Sequence, residues 1–296
     1  MNALTTLPTS PPQARRDHRP LRIAPRPMRW LAAAGLLLLA GLMLHQRDLT
    51  LFLALNALGL HLPELWAMLS VAGLGLSAFI VLAALHPGAA PVAMRPLAAL
   101  LWCFPIGGAL THLGKRLIDH GRPAALLPHD TLVIIGEPLT RGAMPSGHAA
   151  TTLAFVALLI LSRHRPAWQQ ALITLIALPL LLARITVGAH WPADLCAGAG
   201  VGLVSALLAW HLAGRGRLAA WLCSTPGQWT LGLLQIGCGL AIARLETGYA
   251  LALPLQALLA VVSIAAGLQR LGMLMMRLKT KREPSRPLAA RTAGTR

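Results

Sequence analysis

The sequence predicts an all-α, polytopic membrane helical bundle with a six-span core and about two extra C-terminal spans. Three observations carry that prediction. Of 296 residues, 56% are hydrophobic and only 12% charged, with a mean hydropathy of +0.63, whereas soluble domains carry roughly 25% charged residues. Apolar runs of about 20 residues, enough for a helix to cross a bilayer core, recur along the whole middle of the chain. The net charge of +17, from 26 Lys and Arg against 9 Asp and Glu, is concentrated at the two ends: residues 1–30 and 270–296 supply twelve of the seventeen charges. That placement argues against a nucleic-acid module and makes anionic lipids the expected partners of the tails.

In chain order, residues 1–27 are expected to form a basic cytoplasmic tail. The first apolar run, Trp30 to Leu44, is not followed by a cleavage site and a soluble domain, so it reads as an uncleaved span over 28–45. Leu51 to Leu62 is too short to cross and is expected to lie at the interface. Spans at 65–86, 95–115, 147–163, 168–187 and 194–213 complete a core over residues 28–213. After the basic loop Arg215 to Arg217, spans at 227–244 and 250–276 form an appended segment, 214–276, followed by a second basic tail, 277–296. Pro179 and Pro254 are expected to kink their helices, and Pro105 with Gly107 and Gly108 to loosen the third span. Trp66, Trp102, Trp191, Trp210 and Trp229 near span ends fit an interfacial belt. Cys103, Cys196, Cys223 and Cys238 form no CxxC pair and read as small core residues.

Orientation follows from Lys and Arg, which remain on the cytoplasmic side. With the N-terminal tail inside, Arg95, Arg163, Arg165, Arg215, Arg217 and the tail from Arg277 are inside too, eighteen basic residues in all. The opposite side receives Arg47, Lys115, Arg116, Arg122, Arg141, Arg184 and Arg244. Cations retained on the disfavoured face call for a function.

Three segments meet on that face: Lys115 to Pro123 after the third span, Pro145-Ser146-Gly147-His148 before the fourth, and Arg184 to Asp194 between the fifth and sixth. A phosphate ester needs a clamp for negative charge, a nucleophile, and an acid for the leaving oxygen. Lys115, Arg122 and Arg184 can neutralise phosphoryl oxygens. Ser146 is placed as an N-cap, and the helix end at Gly147 offers free N–H groups to an anion. His190 and Asp194, four apart, project from one helical face. The carboxylate fixes the imidazole tautomer and leaves the other ring nitrogen free to attack. His190 is thus the expected nucleophile, forming a phosphohistidine, with His148 as the acid and base. No metal and no cofactor are called for, since the cations supply the charge neutralisation. Taken singly, Lys115 and Arg116 read as snorkelling residues and Ser146 as a plain cap. It is the joint spacing that points to chemistry.

Lys-x6-Arg-Pro, Pro-Ser-Gly-His and Arg-x5-His-x3-Asp, in this order, resemble the tripartite signature of the type 2 phosphatidic-acid phosphatase superfamily, which also includes vanadium haloperoxidases and glucose 6-phosphatases. The resemblance covers about residues 66–213, with the motifs over 115–194. It implies a lipid phosphatase in which Lys115, Arg122, Ser146, Gly147 and Arg184 bind phosphate, His190 is the nucleophile, Asp194 orients it, and His148 is the acid and base. The family often has Ser directly before the Arg of the third motif, whereas this chain has Ala183. The last two spans also exceed the family's usual six.

The implied substrates are membrane lipid phosphates: undecaprenyl diphosphate first, then phosphatidic acid, phosphatidylglycerol phosphate or lipid A 1-phosphate. The implied location is a bacterial inner membrane with a periplasmic or extracellular site and both termini cytoplasmic. Two rivals are a lipid-to-lipid phosphotransferase and a non-catalytic phospholipid-binding or transport protein. A phosphorylated second lipid would mark the first, and the intact His148, His190 and Asp194 argue against the second. His112, His120, Asp119, Asp130, Glu137 and Arg141 near the motifs read as loop residues.

Overall fold

The computed structural model describes residues 27–45, 47–86 and 91–282. The N-terminal basic tail up to residue 26 and the second tail from residue 283 onward lie outside the described residues. The described residues are helical, with no strand among them. In chain order, α1 is Pro27–Leu44 and α2 is Leu49–Asn56, followed by a 3-10 turn at Ala57–Leu60. Then come α3 (Pro63–Ala72), α4 (Gly75–Leu85), α5 (Pro91–Leu117) and a single turn, α6 (Pro123–Leu126). The remainder are α7 (Gly147–Ser162), α8 (Ala167–Thr186), α9 (Pro192–Gly214), α10 (Arg217–Cys223), α11 (Thr225–Arg244) and α12 (Leu253–Arg282).

Among the described residues, four helical stretches are long and apolar enough to cross a membrane alone: Ala93–Leu117, Ala167–Thr186, Pro192–Gly214 and Ala250–Thr280. Up to two more result if each bent pair counts as one span. The chain is a multi-pass membrane protein, but several expected spans differ in detail. The span expected at 65–86 is α3 and α4, bent by 68° across Gly73 and Leu74. At the break the carbonyl of Val71 accepts from Leu74 N–H at 3.1 Å and from Ser77 Oγ at 2.7 Å, so it stays paired in apolar surroundings. α7 is shorter than expected for a full span, at 16 residues. α11 has the length but carries Gln228 and Gln235 in its interior, which lower its apolarity. Pro254 does not kink the last helix. It is the second residue of α12, where a missing N–H leaves no carbonyl unpaired.

Small residues set the packing. α9 lies against α1, α5 and α7, and Cβ atoms added at Gly198 and Gly202 would run into the carbonyl oxygens of Ser146 and Ala150 on the α7 side. Backbone contact of that kind lets helices associate where lipid supplies no hydrophobic drive. Gly232, Gly239 and Gly267 bring α11 and α12 together in the same way. The appended pair is fastened to the core by Arg270 of α12. Its guanidinium donates to Gln235 Oε1 (2.8 Å), Gln228 Oε1 (2.7 Å) and the carbonyls of Ala83 (3.1 Å) and His86 (2.8 Å) at the end of α4. Near the start of α5, Arg95 lies over the Trp210 ring, 4.0 Å from its centroid, and donates to the Trp210 carbonyl.

Candidate active site

α5 and α8 end, and α7 and α9 begin, at one end of the bundle, so the three motifs share a face. The turn after α8 is what brings the third motif back on itself. Gly188 has φ +76°, a left-handed conformation that side chains rarely adopt. An added Cβ there would lie 2.6 Å from the Val133 carbonyl oxygen. Through this turn the N–H groups of Ala189 and His190 reach back to the Arg184 carbonyl at 3.1 and 3.0 Å. The buried Asn56, at the end of α2, holds the same corner. It donates to the carbonyls of Val133 and Ile185, both at 2.9 Å, and accepts from Val133 N–H at 2.7 Å.

His190 is 1% exposed. Its Nδ1 faces Asp194 Oδ2 at 3.1 Å, and with a carboxylate as partner that nitrogen carries the proton. The carboxylate is itself fixed by accepting from Trp191 N–H at 2.9 Å. On the other side of the ring, Arg122 Nη1 donates to His190 Nε2 at 3.3 Å. Arg122 is held by the carbonyls of Arg141 (2.8 Å), Ala189 (3.0 Å) and Gly142 (3.4 Å). Lys115 lies against Gly142, where an added Cβ would be 3.5 Å from Lys115 Cδ and 3.9 Å from its Nζ. Burial, reinforced by the Arg122 and Arg184 charges, holds the His190 imidazolium well below the usual range. The ring is therefore neutral at neutral pH, with a lone pair on Nε2. Burial and the neighbouring Arg184 push Arg122 down to about 10, so it remains a cation.

The second motif joins the third through backbone. Ser146 N–H donates to the Asp194 carbonyl at 3.0 Å. Ser146 caps α7 as expected, its fully buried Oγ accepting from Ala149 N–H at 3.4 Å. The cap leaves the N–H groups of Gly147 and His148 without an acceptor among the described residues. Gly147 keeps this helix end open, because a Cβ there would meet only Thr111, at 3.9 Å. Lys115 and Gly147 both line a cavity of about 350 Å³ that runs past Thr111 and Gly107 to Phe104 between α5 and α7. The charges of Arg184, Arg122 and Lys115 all act on His148, and His148 in turn acts on His190. Arg184 is 2% exposed. Its Nη1 donates to Ser70 Oγ and, at 2.8 Å, to Tyr249 Oη, while its Nε is buried without a partner. Among the described residues no three His, Cys, Asp or Glu side chains converge as a metal ion would require. A neutral imidazole with a free ring nitrogen, three cations and a helix N-terminus can together receive an electrophile that carries negative charge.

All eight expected site residues thus come to one end of the bundle. Four others escaped the sequence reading: Asp48, Asn56, Ser70 and Tyr249. Asp48 precedes α2 and looks like its cap, yet it makes no such bond. Its Oδ2 accepts from Ala193 N–H at 2.7 Å, capping α9 instead. Trp191 is not part of an interfacial belt. It is 5% exposed, its Nε1 donates to the Gly121 carbonyl at 2.9 Å, and its ring lies 4.8 Å from that of Phe52. His120 packs on His45, with centroids 4.3 Å apart, which agrees with a structural role.

Comparison with known proteins places these observations. Residues 96–217 match the model of the PAP2 superfamily. No curated protein matches. Among solved structures, the crystal structure of Aquifex aeolicus LpxE is similar, with a TM-score of 0.48 and 22% identity over 55% of this chain and 94% of that one. The matched segment contains Lys115, Arg122, Ser146, Gly147, His148, Arg184, His190 and Asp194 and ends before α11 begins. The segment that carries all three motifs is thus similar to the PAP2 superfamily.

Proposed function

We propose that the chain removes phosphate from a lipid phosphate or diphosphate through a phosphohistidine on His190, without a metal ion, at the periplasmic surface of a bacterial inner membrane. The observation that carries this reading is the His190 ring held between Asp194 on Nδ1 and Arg122 on Nε2. In the reaction, Arg122 passes its hydrogen bond from Nε2 to a phosphoryl oxygen as substrate enters. Lys115, Arg184 and the N–H groups of Gly147 and His148 take the remaining oxygens. His190 Nε2 forms a bond to phosphorus as the bond to the leaving oxygen breaks, and His148 gives that oxygen its proton. Water then attacks the phosphohistidine and passes a proton to His148. Inorganic phosphate leaves and both rings are regenerated.

The cavity from Lys115 to Phe104 supports a substrate whose tail remains in the bilayer while its headgroup reaches the helix end. The distribution of Lys and Arg supports both termini inside and the site outside. Undecaprenyl diphosphate is the favoured substrate, because recycling of a carrier lipid is a common task on that face. Phosphate release by the purified protein in detergent with EDTA, across monophosphate and diphosphate lipids, tests the proposal. Release that persists in EDTA and is fastest on the polyprenyl diphosphate is the expected result. Release that requires added metal, or none from any lipid, contradicts it.

A further inference from the structure

The two appended helices lie outside the matched segment, yet the turn between them reaches the site. Gly248 adopts φ +75°, and Tyr249 follows it. The turn is fastened from behind by the buried Gln256, whose Nε2 donates to the carbonyls of Ile242 (3.1 Å) and Leu245 (2.9 Å). From the front it is met by the loop between the first two motifs. Gly136 packs so closely that a Cβ there would strike the Gly248 carbonyl oxygen and lie 2.8 Å from Tyr249 Cδ1. Behind the Tyr249 ring, Ile242, Ala252, Leu259 and Ala260 of the appended segment share one apolar cluster with Ala67 and Val71 of α3.

Tyr249 Oη accepts from Arg184 Nη1 at 2.8 Å, and Ser70 Oγ accepts from the same nitrogen. Nη1 lies on the Cδ side of the guanidinium. Binding it there leaves the opposite edge, Nε–H and Nη2–H, as the fork that takes two oxygens of one phosphoryl group. Nε of Arg184 is buried with no partner among the described residues, and a buried donor without an acceptor points to a ligand. The residue before Arg184 is Ala183, itself fully buried, so the chain neighbour offers no hydroxyl.

We infer that Tyr249 is a positioning residue for Arg184, and that the appended pair α11–α12 completes the phosphate site by delivering its hydroxyl. The inference rests on the phosphatase reading for its kinetics but not for its binding test. Tyr249 is the only tyrosine in the chain, so incorporating 3-fluorotyrosine gives a single fluorine resonance. Orthovanadate added to the full-length protein should shift that resonance, and the shift should vanish in Arg184→Ala. Tyr249→Phe removes the hydroxyl and keeps the ring. It should lower kcat/KM for lipid phosphate about tenfold, the size expected for one hydrogen bond to a charged group, and weaken vanadate inhibition in parallel. A resonance unmoved by inhibitory vanadate, or a Tyr249→Phe protein matching wild type in both constants, overturns the inference. If no lipid releases phosphate but vanadate still moves the resonance through Arg184, the substrate reading falls and the role of Tyr249 stands.

Discussion

Arg184 and Arg270 are the two most deeply buried arginines among the described residues, and their surroundings separate the two regions they belong to. Arg270, 4% exposed in the appended pair, meets two glutamine side chains and two carbonyls at the end of α4. Arg184, 2% exposed in the core, spends one nitrogen on two hydroxyls and leaves Nε buried without a partner. Burying a charge in apolar surroundings is costly unless its donors are met. Arg270 has met that requirement within the fold and acts as a fastener. Arg184 has not among the described residues, and in the proposed reaction a phosphoryl oxygen is the missing acceptor.

Substitutions can break the comparison, and the largest effect is expected at the ring beside these cations. His190→Ala should reduce phosphate release roughly 10⁴-fold or more, with lipid still bound. Unchanged release would remove His190 from the chemistry. Arg184→Ala should lower kcat/KM by about 10²–10³-fold with only a small loss of thermal stability in detergent, because it releases just the hydroxyls of Ser70 and Tyr249. Arg270→Ala should do the reverse. It strands four acceptors and should cost about 3 kcal/mol or more of stability, with kcat per folded molecule retained. If the two variants exchange phenotypes, the distinction between fastener and site is wrong.

The smallest effect is the pH profile. Protonation of His190 destroys the attacking lone pair, and burial with neighbouring cations holds that event well below the usual imidazole range. The acid limb of kcat/KM, corrected for substrate ionisation, should therefore lie below pH ~6.5, the ordinary imidazole value. Arg122, down at about 10, should begin to lose its charge, and KM should rise, as pH approaches that value. An acid limb at or above the ordinary imidazole value contradicts the assignment of His190 as a neutral base in the free protein.

Sequence spacing reveals what depends on one helix or one turn. His190 and Asp194 are four residues apart, and Ser146 stands directly before its helix, so both geometries are local and legible. Contacts between distant segments leave no such trace. Asp48 caps α9 across 145 residues, and Asn56 binds the Ile185 carbonyl across 129. Asp48 looks like the cap of its own helix and Asn56 like the polar end of an amphipathic one. The 65–86 segment reads as one span because its composition is apolar throughout. Only the glycines at 73 and 75 hint at the break, and the hydroxyl of Ser77 that stabilises it is an ordinary residue until the bend is seen. Gln228 and Gln235 weaken the appearance of α11 as a span for a reason that lies in Arg270, on a different helix. Tyr249 carries the faintest signal of all, since its partner belongs to the third motif and reaches it only through the fold.

In the proposed reaction phosphorus becomes bonded to His190, and trapping that bond tests the mechanism most directly. Protein mixed with a lipid labelled in the terminal phosphate, quenched within one turnover in alkali and digested, should carry the label on the peptide containing His190. The label should be absent in His190→Ala and should decay at the rate of phosphate release. Turnover that proceeds with no labelled peptide, or with label on His148 instead, would contradict the account.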